Sequence, residues 1–167
     1  MTDVRYQQLT DFPRYAVTMD WLMTPANLID DGPALQTAMI IALGTDARAA
    51  DSDILPNPDS TDRRGWWGDM DAEEIWGGWP VGSKLWLLSR AKITGASSSE
   101  GATLARAEGY TRDAMRPFVT NRIASRVDVN AMQIGTGRID VDLTMYRGPV
   151  SAVDLRYSEL WSELGRG

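Results

Sequence analysis

Apolar and polar residues alternate from Tyr15 through Val17, Met19 and Trp21, which predicts a half-buried strand. Thr24-Pro25 marks a turn. Asp31, a cap residue, with Pro33 in the first turn predicts a helix running to about Gly44. Leu35, Ala38, Met39, Ala42 and Leu43 give that helix its apolar face. A second helical signal opens at Ser83 and carries Leu85, Trp86, Leu88 and Ala91. A third opens with a capping box from Ser97 to Glu100, followed by Leu104, Ala107, Thr111, Ala114 and Phe118. Pro117 is expected to end or kink it near Asp113 to Arg116. Two alternating strands follow, one through Val127, Val129 and Ala131, the other through Ile139, Val141, Leu143 and Met145. Gly135-Thr136-Gly137 supplies the hairpin turn between them. Val153, Leu155 and Tyr157 read as a strand or turn, and Leu160, Trp161 and Leu164 as a short helix.

Helices and antiparallel strands are segregated along the chain, so the fold class is α+β: an antiparallel sheet with helices packed on one side. Residues 1–13 read as an N-terminal arm and residues 14–167 as a single domain. Residues 45 to 80 stand apart. They hold several Asp, Gly and Pro and show little periodicity, yet they include four Trp. Disorder predicts few aromatics, so this stretch reads as a long loop packed on its own domain or on a partner.

Composition narrows the chemistry. The chain has 167 residues, with neither Cys nor His. Disulfides, thiolate nucleophiles, imidazole ligands and His-based triads are therefore excluded. Carboxylate or Lys chemistry and oxygen-ligated cations remain. The longest apolar run, Ala38 to Leu43, is far short of a membrane span, and Met1 to Arg5 has no apolar core for a signal peptide. A net charge of −6 argues against nucleic acid as the main ligand. The charge is uneven: twelve acids and three bases lie between Asp20 and Glu74, against ten bases and six acids between Lys84 and Arg147. Such asymmetry suits layered contact with charged neighbours. Five of the seven Trp fall between Trp66 and Trp86, and all but two of the seventeen bases are Arg. Both residue types are enriched at protein interfaces.

Among candidate chemistries, Asp69, Asp71, Glu73 and Glu74 offer carboxylates for a glycosidase-like pair, with Trp nearby to stack a sugar. That reading makes the chain a small peptidoglycan-hydrolysing domain. A solvated acidic turn explains the same residues more simply. Asp51 with Asp53, and Asp59 with Asp62, offer oxygens to a hard cation, but the EF-hand spacing is absent. No glycine cluster matches a phosphate-binding loop. No catalytic residue, metal or cofactor is assigned. The strongest local signal is Arg63-Arg64-Gly65-Trp66-Trp67-Gly68-Asp69. Two adjacent Trp do not easily share one environment, so one anchors to the domain while the other faces a neighbour. Arg63 and Arg64 supply forked donors. With Trp76 and Trp79, these seven residues form the candidate partner-binding set; a wholly intramolecular clamp is the rival account.

That segment, then Gly82-Ser83-Lys84-Leu85-Trp86-Leu87-Leu88-Ser89-Arg90, Leu104-Ala105-Arg106-Ala107, Tyr146-Arg147-Gly148-Pro149 and Leu155-Arg156-Tyr157-Ser158-Glu159-Leu160-Trp161, resembles the small baseplate protein of Mu-like contractile-tailed phages. The resemblance runs in order from about Asp31 onward. That family is similar to the lysozyme-like wedge proteins of contractile-tail baseplates. The resemblance implies a structural, non-enzymatic wedge subunit in the virion tail, assembled in the host cytoplasm and present in multiple copies in a symmetric assembly. Its implied partners are the larger baseplate wedge protein, the central hub and spike proteins, and the sheath, whose assembly such proteins help to start; neither nucleic acid nor membrane is implied. A tailocin or related injection machine would use the same wedge. Related wedge proteins carry a Glu-Pro-Arg-type motif after the first helix, which Thr45-Asp46-Ala47-Arg48 lacks.

Overall fold

A computed structural model of the chain describes residues 6–11, 16–21, 34–75, 77–91, 103–134 and 138–160. Among these residues five strands and three helices appear in the order β1 (Tyr6–Asp11), β2 (Ala16–Trp21), α1 (Ala34–Gly44), α2 (Ala72–Ile75), α3 (Thr103–Thr120), β3 (Arg126–Gln133), β4 (Arg138–Arg147) and β5 (Val150–Leu160). Two short 3-10 turns, Trp67–Asp69 and Leu85–Leu88, complete the set. The fold is α+β, as the segregated pattern predicts.

Strands β3, β4 and β5 form an antiparallel sheet with β4 in the centre. Strict alternation along β4 sorts its two faces. Ile139, Val141, Leu143 and Met145 point inward and are fully buried. In register, Val129 lies opposite Leu143, and Leu143 opposite Leu155. Against this apolar face pack Ala107, Ala114, Met115 and Phe118 of α3, then Met39, Ile40 and Leu43 of α1. These side chains form one continuous core, the main source of stability for a domain of this size.

The opposite face of the sheet is polar. Arg138 grips Asp140 through two bonds of 2.6 Å, and Arg156 grips Asp142 at 2.6 and 3.0 Å. Asp140 is only 1% exposed. Its hydrogen bond to Arg138 holds that guanidinium's pKa above its ordinary value, against the opposing effect of burial. On the outer strand of the sheet, the Glu108 carboxylate of α3 accepts the Ala131 N–H at 3.0 Å, so the helix covers part of the β3 edge.

Four details depart from expectation. Residues 6–11, expected within an N-terminal arm, form β1 and pair antiparallel with β2. The signal at Ser83 yields only the 3-10 turn Leu85–Leu88, all four residues of which are buried. A run buried on every side has no solvent face to sustain a longer amphipathic helix. Ser83 does not cap it; its hydroxyl donates instead to the Leu43 carbonyl at 2.8 Å. Helix α3 does not end before Pro117 but runs three residues past it. Burial of Ala114, Met115 and Phe118 on one face outweighs the single backbone hydrogen bond that proline forfeits. Finally, Val153, Leu155 and Tyr157 lie in a strand, one of the two readings their pattern allows, and that strand, β5, takes in Leu160, expected in the terminal helix. The capping box at Ser97, the Asp31 cap, the Gly135–Gly137 turn and the terminal helix around Trp161 lie outside the described residues.

Candidate functional site

The segment between α1 and the Leu85–Leu88 turn is closed at its base. Ala47 N–H donates to Ser83 O at 2.9 Å, and Ser83 N–H donates to Thr45 O at 2.8 Å, forming a parallel bridge between Asp46 and Ser83. Gly82 sits at the crossing with φ +125°, and a Cβ there would lie 2.7 Å from Ala47 N and 2.8 Å from Thr45 O. Only glycine fits so close an approach of two backbones. Trp86 locks the same point from below. It is buried, and its indole N–H donates to the Ala47 carbonyl at 2.8 Å.

The two arginines fasten the next turn of chain. Arg63 accepts Ala49 N–H at its carbonyl (2.9 Å), and its guanidinium donates to the carbonyls of Ala50 and Asp51. Arg64 has a left-handed backbone (φ 49°). Its guanidinium stacks 4.6 Å from the Trp86 ring centre and donates to Asp46 Oδ2 at 2.8 Å. A cation over an indole with a carboxylate at its edge offsets that backbone strain. Nearby, Lys84 Nζ donates to Asp53 Oδ2 at 2.6 Å, and the same oxygen accepts Ala50 N–H at 2.8 Å. Burial alone raises the Asp53 pKa. The hydrogen bonds from Lys84 and Ala50, with the charges of Lys84 and Arg63, overcome it and hold the carboxyl below its ordinary value.

On this clamped base the tryptophans separate. Trp66 is half-buried and lies across Gly68, where a Cβ would fall 2.5 Å from its ring atoms. Trp67 is 77% exposed, and Met70, three residues on, is 83% exposed. The two indole rings are 5.5 Å apart and tilted by 50°. Asp69 N–H closes the turn on Trp66 O at 3.0 Å, while its carboxylate accepts Val81 N–H at 3.0 Å. Asp69 is therefore a structural acceptor, and Asp71 and Glu74 lie exposed.

The nine candidate residues thus divide. Arg63, Arg64, Gly65, Gly68 and Asp69 build the clamp, Trp66 covers it, and Trp67 projects from it. Trp79 is partly buried: it packs edge-on against Phe118 with ring centres 5.1 Å apart, at the margin of the core. Trp76 lies outside the described residues. Pattern reading missed Met70, whose signal was a large apolar residue between two acids, Asp69 and Asp71. It also missed Trp86 and Lys84, whose partners lie more than thirty residues away. The cation-binding reading of Asp51 and Asp53 meets protein cations instead, Arg63 at 3.4 Å and Lys84 at 2.6 Å. Among the described residues no cluster of three or more acids could hold a metal, and no helix is long and apolar enough to cross a membrane.

Residues 35–150 match the family described as Phage protein GP46, and the chain belongs to that family. It is 44% identical over 110 residues to the baseplate protein gp46 of Escherichia phage Mu, covering 66% of each chain. It is 36% identical over 110 residues to the Mu-like prophage FluMu protein gp46 of Haemophilus influenzae, covering 66% of this chain and 64% of that one. The match therefore spans just under two thirds of each relative's length.

Proposed function

We infer that the chain is a structural subunit of a contractile phage tail baseplate, resident in the virion tail. Its relative from phage Mu carries the name baseplate protein. The finer reading is a wedge subunit that docks on a larger wedge protein by Trp67 and Met70 and repeats symmetrically around the hub. The single observation that carries it is the exposure of Trp67 and Met70 on a loop whose backbone is already fixed. A bare indole on a mobile loop would lose much of its binding energy to ordering. On a rigid loop that cost is largely met during folding. β5, the edge strand opposite β3, is the element for extending a neighbour's sheet at the start of sheath assembly.

The test is co-assembly. Trp67→Ala and Met70→Ala are expected to unfold at the wild-type denaturant concentration. Trp67→Ala is expected to weaken co-purification with the larger wedge protein by about thirtyfold, equivalent to the ~2 kcal/mol of an interface anchor. Normal baseplates from the double variant would refute the docking role.

A further inference from the structure

Helix α3 ends in a Schellman pattern: Ile123 N–H donates to Phe118 O at 2.9 Å and Arg122 N–H to Val119 O at 3.0 Å. That pattern places one residue in the left-handed region, where glycine is the usual occupant. Here the residue is Arg122, with φ 59°. Glycine would relieve the strain without disturbing either hydrogen bond, so capping the helix does not explain the side chain.

Its surroundings do. Arg122 borders an open groove of about 600 Å³ between the end of α3 and the β4–β5 turn. Val119, Ile123 and Ala124 give the groove an apolar floor, and Arg147 forms a second cationic wall. Arg147 Nε donates to Ile123 O at 3.0 Å, which fixes its guanidinium at the rim. Among the described residues no carboxylate lines the groove or pairs with Arg122 or Arg147. Of the acids on the flanking elements, Asp113 is paired with Arg116 at 2.6 Å, Asp128 with Arg126 at 3.1 Å, and Asp154 accepts the Ser151 hydroxyl at 2.9 Å. Two fork-shaped cations over an apolar floor, in a chain of net charge −6, form a receptor for carboxylates. Attraction of Arg122 to the helix C-terminus would account for one cation, and the bond to Ile123 uses only one of the N–H donors of Arg147.

We propose that this groove binds an acidic peptide segment of a partner protein, with carboxylates on Arg122 and Arg147 and an apolar side chain over Val119 and Ile123. The surface does not involve Trp67, so it stands or falls apart from the docking loop.

The experiment uses the full chain and a short, blocked, fluorescent peptide of alternating glutamate and leucine, with its glutamine counterpart as control. The acidic peptide is expected to bind at least tenfold more tightly than the control, and less tightly as salt rises. Arg122→Gly is expected to weaken binding about tenfold while melting at the wild-type temperature or about 2 °C higher, because strain is relieved. Arg147→Gln should weaken binding similarly, and Trp67→Ala should bind as wild type does. Equal binding of the glutamine peptide, undiminished binding by Arg122→Gly, or no binding of either peptide would overturn the proposal. Self-association of the chain that Arg122→Gly abolishes, without peptide binding, would overturn the choice of occupant.

Discussion

Gly82→Ala tests whether the bridge at the base of the loop is a clamp. The added Cβ would meet backbone atoms of Ala47 and Thr45 at 2.7 and 2.8 Å, distances no side-chain motion can relieve. Alanine would also have to hold φ near +125°. That conformation costs of order 1–3 kcal/mol, and losing the two bridge hydrogen bonds adds about 1 kcal/mol each. Together the loss is about 3–5 kcal/mol. Gly77→Ala is the internal control. Gly77 also has a positive φ, +64°, but nothing lies within 4 Å of its would-be Cβ, so only about 1 kcal/mol of strain is expected. Urea melts followed by tryptophan fluorescence separate the two. With a slope of about 2 kcal/mol per molar, Gly82→Ala should lower the midpoint by roughly 2 M and Gly77→Ala by roughly 0.5 M. If the loop opens without unfolding the domain, protease cleavage between residues 47 and 82 reports it instead. A Gly82→Ala protein no less stable than Gly77→Ala and no more cleavable would refute the clamp.

Two further outcomes follow from the ion pairs. Because the folded pKa of Asp53 is lowered, its contribution is present above the ordinary carboxylate range and is lost as pH falls through the folded value. Asp53→Asn should therefore be less stable than wild type at pH 7, by about 1 kcal/mol for a half-buried pair, with the gap closing below about pH 4; urea melts across pH 2–7 check this, and a constant gap would refute it. Asp140→Ala removes the carboxylate that faces the buried Arg138 guanidinium and should cost about 3 kcal/mol, whereas joint replacement by Arg138→Met and Asp140→Leu should recover most of it, as a double-mutant cycle would show.

Much of the sheet was legible because its signal is local. Ile139, Val141, Leu143 and Met145 alternate without a break, and one face of β4 must be buried for that pattern to persist. Leu104, Ala107, Thr111, Ala114 and Phe118 likewise disclosed α3. The misses share a cause: the deciding contact is distant in sequence. Gln7, Gln8 and Thr10 look like an arm until β2 pairs with them. Pro117 looks like a stop until the burial of its neighbours is counted. The site was half legible. Adjacent tryptophans announced two environments, but which ring faces water depends on the close approach of Trp66 to Gly68. Trp79 resembled its neighbours in composition, and nothing local in the sequence announced its edge-on contact with Phe118.

The Asp46–Ser83 bridge has an entropic consequence. It joins the two ends of a long excursion, residues 47 to 82, whose closure costs about 3 kcal/mol of chain entropy. Contacts at the bridge and inside the loop offset that cost: Trp86 and Leu43, which anchor the bridge, are buried, and within the excursion Ala49 packs on Trp86 while Lys84 holds Asp53. Trp67 is thus carried by a loop whose ends are tied to buried residues. A chain with the bridge open would lack the rigid, low-entropy surface that a neighbour would select.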